Sequence, residues 1–242
     1  MPASASPAVT LVLLPGMDGS GEQFEPLIQA LGPAVKCIVV RYPSSSPAGY
    51  TELEAIARAS LPDDRPFFLL GESFSGPIAV SIAASMPQRL KGLVLSCTFV
   101  CNPRPVFSRL GKLVNFLPLA DIPTAIKSHL FLGAFASSKL RVMMKHALSQ
   151  ASAATLRARL KAVLTVDVRA ELAQVQIPIL YLRAARDRVV PRSASALILR
   201  LAPQVQLVEL DAPHFLLQAL PAESANAICA FTQEHCPETQ IE

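Results

Sequence analysis

One serine, one histidine and one aspartate have the types and the spacing for nucleophilic catalysis. Ser73 lies in Gly71-Glu72-Ser73-Phe74-Ser75-Gly76, after the apolar run Phe67 to Leu70 and before a helical stretch from Pro77. A serine on a sharp strand-to-helix turn has strained backbone angles, and small residues two positions to either side let the turn close. Gly71 and Ser75 occupy those positions. The turn exposes the hydroxyl at the end of a strand. It also sets a helix N-terminus beneath it, where the dipole favours developing negative charge. Ser75 stands where the usual Gly-x-Ser-x-Gly pattern has glycine, and its small side chain is compatible with the turn. Taken alone, the same residues also read as an ordinary strand–helix turn or a phosphate-binding loop.

His214 lies in Asp211-Ala212-Pro213-His214-Phe215, between the last strand-like run and the final helix-like stretch. General-base work needs a side chain that titrates near neutral pH, and a histidine there reaches a serine on a central turn. Of the other three histidines, His129 and His146 fall in a helical middle segment and His235 near the C-terminus. Asp187 follows the strand-like run Ile177 to Leu182. It is placed to accept the second imidazole N–H, fixing the tautomer and stabilising the imidazolium as it forms. Asp211 is the rival acid, but its nearness to His214 in sequence points it elsewhere. The order Ser73, Asp187, His214 matches one of three known chain orders for this constellation. The loop Leu14-Pro15-Gly16-Met17-Asp18-Gly19-Ser20-Gly21 lacks the Lys-Ser/Thr ending of a P-loop and the G-x-G-x-x-G spacing. It reads as an oxyanion loop, with the backbone N–H groups of Met17 and Phe74 as donors.

The elements that must position these residues follow from hydrophobic patterning. Strands are expected at Val9 to Leu14, Cys37 to Tyr42, Phe67 to Leu70, Gly92 to Cys97, Ile177 to Leu182 and Val205 to Leu210. Helices are expected at Glu22 to Leu31, Thr51 to Leu61, Pro77 to Met86, Ser193 to Leu201 and Ala222 to Glu234. Short apolar strands alternating with amphipathic helices predict an α/β fold with a mostly parallel sheet covered on both faces. From Pro103 to Ala162 the alternation breaks into helices punctuated by Pro105, Pro118, Pro123 and Gly133. The expected organisation is a core of residues 1–102 and 163–242, with a helical insertion over 103–162.

Composition narrows the classes. Hydrophobic residues make up 51% of the 242 and charged residues 17%, enough for a large core. The longest apolar runs fall far short of the roughly 20 residues of a spanning helix. The start, MPASASPAVT, has no Lys or Arg and too short an apolar run for a signal peptide, so the expected location is cytoplasmic. The five cysteines are odd in number and scattered, and no second pair or histidine cluster completes a zinc site with Cys97 and Cys101. No metal or organic cofactor is expected.

These residues resemble the α/β-hydrolase superfamily along nearly the whole chain. The loop after the first strand, the turn at Ser73, the Asp187 to Pro191 turn and the late His214 stand in family order. Within it, the chain looks like small carboxylesterases such as pimeloyl-acyl-carrier-protein methyl ester esterases, although Pro15-Gly16 stands where many relatives have His-Gly. The resemblance implies a cap over the active site, inserted after the sixth strand of the family's sheet. It also implies an acyl-enzyme route, and a serine nucleophile argues against the dehalogenases and epoxide hydrolases of the superfamily. Cofactor-free haloperoxidases and hydroxynitrile lyases keep the serine triad and stay open.

The insertion offers Phe107, Leu110, Leu113, Val114, Phe116, Leu117, Leu130, Phe131, Leu132 and Phe135. Some pack the cap on the sheet. Phe107, Leu113, Phe116, Leu117 and Phe131 are the candidates to line an acyl pocket. The expected substrate is an ester or thioester with an apolar acyl chain. The insertion also carries ten basic residues and one acid, Asp121, in a chain of net charge +4. That asymmetry fits docking of an acidic acyl carrier protein, or a merely solvated helical surface or an anionic membrane surface. Nucleic acid is not expected, because no aromatic residues are interleaved with the charges. Two other functions stay open: acyl transfer through the same acyl-enzyme, and a non-catalytic binding or signalling protein on the same fold.

Overall fold

A computed structural model describes residues 9–106 and 122–236. Six strands form one sheet: β1 (Val9–Leu14), β2 (Val35–Val39), β3 (Phe67–Glu72), β4 (Leu90–Ser96), β5 (Ile179–Ala184) and β6 (Val205–Leu210). They lie in the order β2-β1-β3-β4-β5-β6, and every pairing is parallel. The inner strands are apolar on both sides because both faces are covered. Their side chains alternate. Val12, Leu14, Phe67, Leu69, Ile179 and Tyr181 point to one core. Leu11, Leu13, Phe68, Leu70, Leu180 and Leu182 point to the other.

Helices α2 (Tyr50–Ala59), α3 (Gly76–Ala84), α7 (Arg169–Gln174) and α8 (Arg192–Leu201) cover the first face through residues such as Leu53, Ile78, Leu172 and Ile198. Helices α1 (Glu25–Leu31), α9 (Leu216–Ala219) and α10 (Pro221–His235) cover the second through Leu27, Leu216 and Phe231. This is the α/β-hydrolase fold expected from the sequence, with some boundaries moved. β2 ends at Val39 because the chain turns away from the sheet, with Tyr42 N–H donating to Gly19 O at 2.8 Å. β5 begins only after Pro178, which has no N–H to give to a ladder. β3 runs on to Glu72 and so delivers the chain directly to Ser73. The short helices α7 and α9 are too brief to show a helical period in the sequence.

The insertion leaves the sheet after β4, the fourth strand of the described sheet rather than the sixth. Its described part holds α4 (Thr124–Phe131), α5 (Ser138–Gln150) and α6 (Ala153–Thr165). Ser137 and Ser152 cap α5 and α6, their hydroxyls accepting from Leu140 N–H at 3.2 Å and Thr155 N–H at 3.1 Å. The two ends of the insertion are drawn together by an antiparallel bridge between Cys101 and Asp167. Val168 N–H to Val100 O at 2.7 Å and Asn102 N–H to Val166 O at 3.1 Å flank it. Among the described residues no helix is long and apolar enough to cross a membrane.

Candidate active site

Parallel α/β sheets gather their sites beyond the carboxyl ends of the strands. Ser73 follows β3, Asp187 follows β5, His214 follows β6 and the loop at Met17 follows β1. The structure brings the first three into one relay. Ser73 Oγ lies 2.9 Å from His214 Nε2, and His214 Nδ1 lies 2.8 Å from Asp187 Oδ2. The second carboxylate oxygen of Asp187 accepts Val189 N–H at 2.8 Å and Val190 N–H at 2.9 Å, so the acid is held on both sides. The His214 and Asp187 side chains are 6% and 7% exposed, which keeps water from competing for their bond. The rival Asp211 turns outward to Arg186 Nε at 2.6 Å.

The turn at Ser73 is strained in the way its sequence implies. Ser73 has φ of 48°, a left-handed value that bulky residues rarely adopt. A Cβ at Gly71 would meet Ala79 Cβ at 2.7 Å, and one at Gly76 would collide with the Thr98 side chain. Thr98 Oγ1 also donates to the Ser73 carbonyl, and its own backbone is gripped by Tyr181, whose hydroxyl donates to Thr98 O at 2.7 Å. Phe74 is buried with its ring stacked on Tyr50 at 4.7 Å, and its carbonyl accepts from Tyr50 OH at 3.1 Å. Ser75 is more than a small residue: its buried hydroxyl donates to Pro15 O and lies 3.1 Å from Tyr42 OH. The oxyanion-loop candidate is thereby fastened to the turn that carries Ser73. Of the proposed pocket residues, Phe131 has its ring 5.9 Å from that of His214. Phe107, Leu113, Phe116 and Leu117 lie outside the described residues.

With this geometry in view, the family model described as "Alpha/beta hydrolase family" matches residues 11–227. The chain belongs to the alpha/beta hydrolase family. Phytyl ester synthase 1, a chloroplastic protein of Arabidopsis thaliana, is 35% identical over 122 residues, taking in 48% of this chain. The chain matches only 16% of that relative's length. The "Putative carbamate hydrolase RutD" of Serratia proteamaculans (strain 568) is 27% identical over 246 residues, covering 91% of this chain and 89% of the relative. Among solved structures, a hydrolase from Pseudomonas aeruginosa PA01 superposes with a TM-score of 0.78 at 22% identity. That match covers 95% of this chain and 91% of that one.

Three side chains around the site of this alpha/beta hydrolase family member escaped the sequence reading. Thr98 is one. Glu72 is another: burial pushes its carboxyl up to about 7, against the lowering effect of a bond from Gln218 Nε2 at 2.8 Å and with a further push from Asp18. A charged residue ending an otherwise apolar strand was its available signal. The third is Arg159, one of the ten basic residues of the insertion, which is buried rather than part of any basic face. Its signal was helical spacing: Thr155, Arg159 and Val163 share the buried stripe of α6. Cys97 is a free thiol, and with Asp187 and His214 it forms a trio of ligand atoms within 4.8 Å that could hold a metal ion. A metal there would take the His214 and Asp187 atoms already bonded to each other. Burial holds the Cys97 thiol well above its usual range, so the metal-binding thiolate is disfavoured.

Proposed function

We propose that the chain is a serine hydrolase that cleaves a carboxylic ester or thioester with an apolar acyl chain. The single observation that carries this reading is the unbroken relay of hydrogen-bond distances from Ser73 through His214 to Asp187. In this mechanism Ser73 Oγ attacks the carbonyl carbon while His214 Nε2 takes its proton. The tetrahedral oxyanion is met by the Met17 and Phe74 amides, one such donor being worth roughly 3 kcal/mol of barrier. His214, oriented by Asp187, then protonates the leaving group. Water activated by His214 releases the acid and frees Ser73. Phe131 beside His214 offers an apolar wall to the acyl chain.

Within the family, a methyl ester carried on an acidic acyl carrier protein is the narrower substrate to test. Exposed Lys139, Arg141, Lys145 and Lys161 on the insertion support that choice. A second reading, acyl transfer to an alcohol, draws on the relative named as a phytyl ester synthase. It uses the same acyl-enzyme with an alcohol in place of water.

The test is a series of p-nitrophenyl esters of increasing acyl length, with a fluorophosphonate label, on wild type and Ser73→Ala. Turnover and labelling present in wild type and abolished in Ser73→Ala are expected, and the best chain length sizes the pocket. A folded wild type that neither turns over nor labels overturns the hydrolase reading.

A further inference from the structure

We infer that Arg159, carried by helix α6 of the insertion, is a positioning residue for the oxyanion loop: its guanidinium holds the Met17 carbonyl and so fixes the direction of the Met17 amide. The inference rests on the serine-hydrolase reading above.

Arg159 is fully buried. Its terminal nitrogens donate to Met17 O at 2.7 Å and to Pro43 O at 2.8 Å, short charge-assisted bonds to two loops remote in sequence. The guanidinium also sits over the Tyr42 ring, 5.7 Å from its centroid. Among the described residues no carboxylate lies within ion-pairing distance of it, and Nε finds no acceptor. Burial correspondingly lowers its pKa, opposed by the more distant Asp18 and Tyr42. The Asp18 carboxylate is itself engaged by Ser20, through N–H at 3.1 Å and Oγ at 2.5 Å.

A cation in such a place is a poor choice for packing alone. Desolvating it is costly, and an apolar side chain of similar volume would seat α6 at least as well. What an apolar side chain lacks is a directed grip on carbonyl oxygens. The loop is moulded around that grip: Gly19 has φ of 76°, and a Cβ there would stand 2.6 Å from Arg159 Nη1 and 3.0 Å from Tyr42 Cβ. The base of the arginine is equally fixed. Ser44 O accepts from Ser152 N–H at 2.9 Å and from Thr155 Oγ1 at 3.0 Å, one helical turn before Arg159.

The result is a peptide anchored on both sides as well as by its own turn, in which Gly19 N–H donates to Gly16 O at 3.1 Å. Pro15 is fastened to the Ser73 turn by the Ser75 hydroxyl. Met17 is fastened to the insertion by Arg159. The Gly16–Met17 peptide, whose N–H is the proposed oxyanion donor, lies between them. If Arg159 is removed, the anchor on the Met17 side is lost, while the bonds of the relay, none of which involves Arg159, remain. The loss then falls on stabilisation of the transition state rather than on substrate binding.

The experiment compares wild type, Arg159→Lys and Arg159→Met on one p-nitrophenyl ester, with melting temperature followed by circular dichroism. In Arg159→Met, kcat is expected to fall about 10- to 100-fold, with KM changing by less than about threefold. Arg159→Lys, which keeps a charged donor, is expected to recover part of the loss. A second readout uses [15N]methionine. The chain has five methionines, and the Met17 amide is expected to shift downfield when a fluorophosphonate forms its adduct on Ser73 in wild type. That shift is lost in Arg159→Met. An unchanged kcat in folded Arg159→Met, or a preserved Met17 shift, overturns the inference. Failure of both variants to fold assigns Arg159 to the fold alone and overturns it as well. Wild type is read first: if it neither turns over nor is phosphonylated, the hydrolase reading fails, an outcome distinct from any seen only in the variants.

Discussion

The turn that carries Ser73 and the loop that carries Met17 are held by opposite means. The first is fixed from within and close by. Gly71 and Gly76 leave no room for a Cβ, and Thr98, two residues beyond β4, binds the Ser73 carbonyl. The second has a few bonds of its own, such as Gly19 N–H to Gly16 O at 3.1 Å, and takes its remaining support from afar. Ser75 reaches it from the Ser73 turn and Arg159 from the insertion, 142 residues along the chain. A strained backbone needs tight local packing, because only close contacts prevent it from relaxing. A backbone amide that must point in one direction needs only anchors on either side, and these can come from anywhere in the sequence.

Substitutions that attack one means and spare the other test this contrast. The largest effect is expected on the locally held side. In Gly76→Ala the new methyl falls on the Thr98 side chain, which should lower stability by about 1–3 kcal/mol and kcat by on the order of 100-fold through displacement of Ser73. Chemical denaturation and ester turnover measure the two; unaltered turnover would show that the Ser73 turn tolerates relaxation.

Ser75→Ala leaves the Ser73 backbone intact and cuts one anchor of the loop. It should lower kcat about tenfold with little change in KM. It also leaves the Pro15 carbonyl without the Ser75 hydroxyl, at about 1–2 kcal/mol of stability. If KM rises instead while kcat holds, the loop binds substrate rather than the transition state.

The smallest effect on turnover is expected at the junction of the two regions, at Glu72, where the change is read in stability. Its folded carboxyl titrates at about 7, raised from 4.5. The folded protein therefore keeps a proton that the unfolded chain releases between those values. Wild type should lose stability as pH rises from about 4.5 to 7, and lose no more from this group above it. Glu72→Gln should lack that decline, so melting curves of the two proteins should diverge across this window. Parallel curves would mean that Glu72 is ionised in the fold.

What could be read from the sequence follows the same division. The Ser73 turn was legible because its requirements are local: Gly71, Ser73 and Ser75 lie within five residues, between a strand run and a helix run. Asp187 and His214 were legible because each follows a strand that the apolar pattern reveals. Thr98 was not, since a threonine after a strand looks like many others until it is seen against Gly76. The sequence shows Ser75 as a small residue, while the fold also uses its hydroxyl as a tether. Arg159 was counted with the basic residues of the insertion, although its place on the Thr155 and Val163 stripe marks it as inward-facing. Edges also differ where tertiary bonds override the local pattern, as at Tyr42, which lies beyond β2 and bonds Gly19.

The pinched stem between Cys101 and Asp167 makes the insertion a closed excursion between two adjacent strands. Ring-closure entropy grows only with the logarithm of length, by roughly 0.6 kcal/mol per doubling. Lengthening or shortening the excursion is thus thermodynamically mild for the sheet, and a lineage can remodel this segment without refashioning its core. The graft must still bring a cation to Met17. On the role inferred for Arg159, an insertion grafted onto this sheet must therefore bring a guanidinium to the same place as well as join the same two strands.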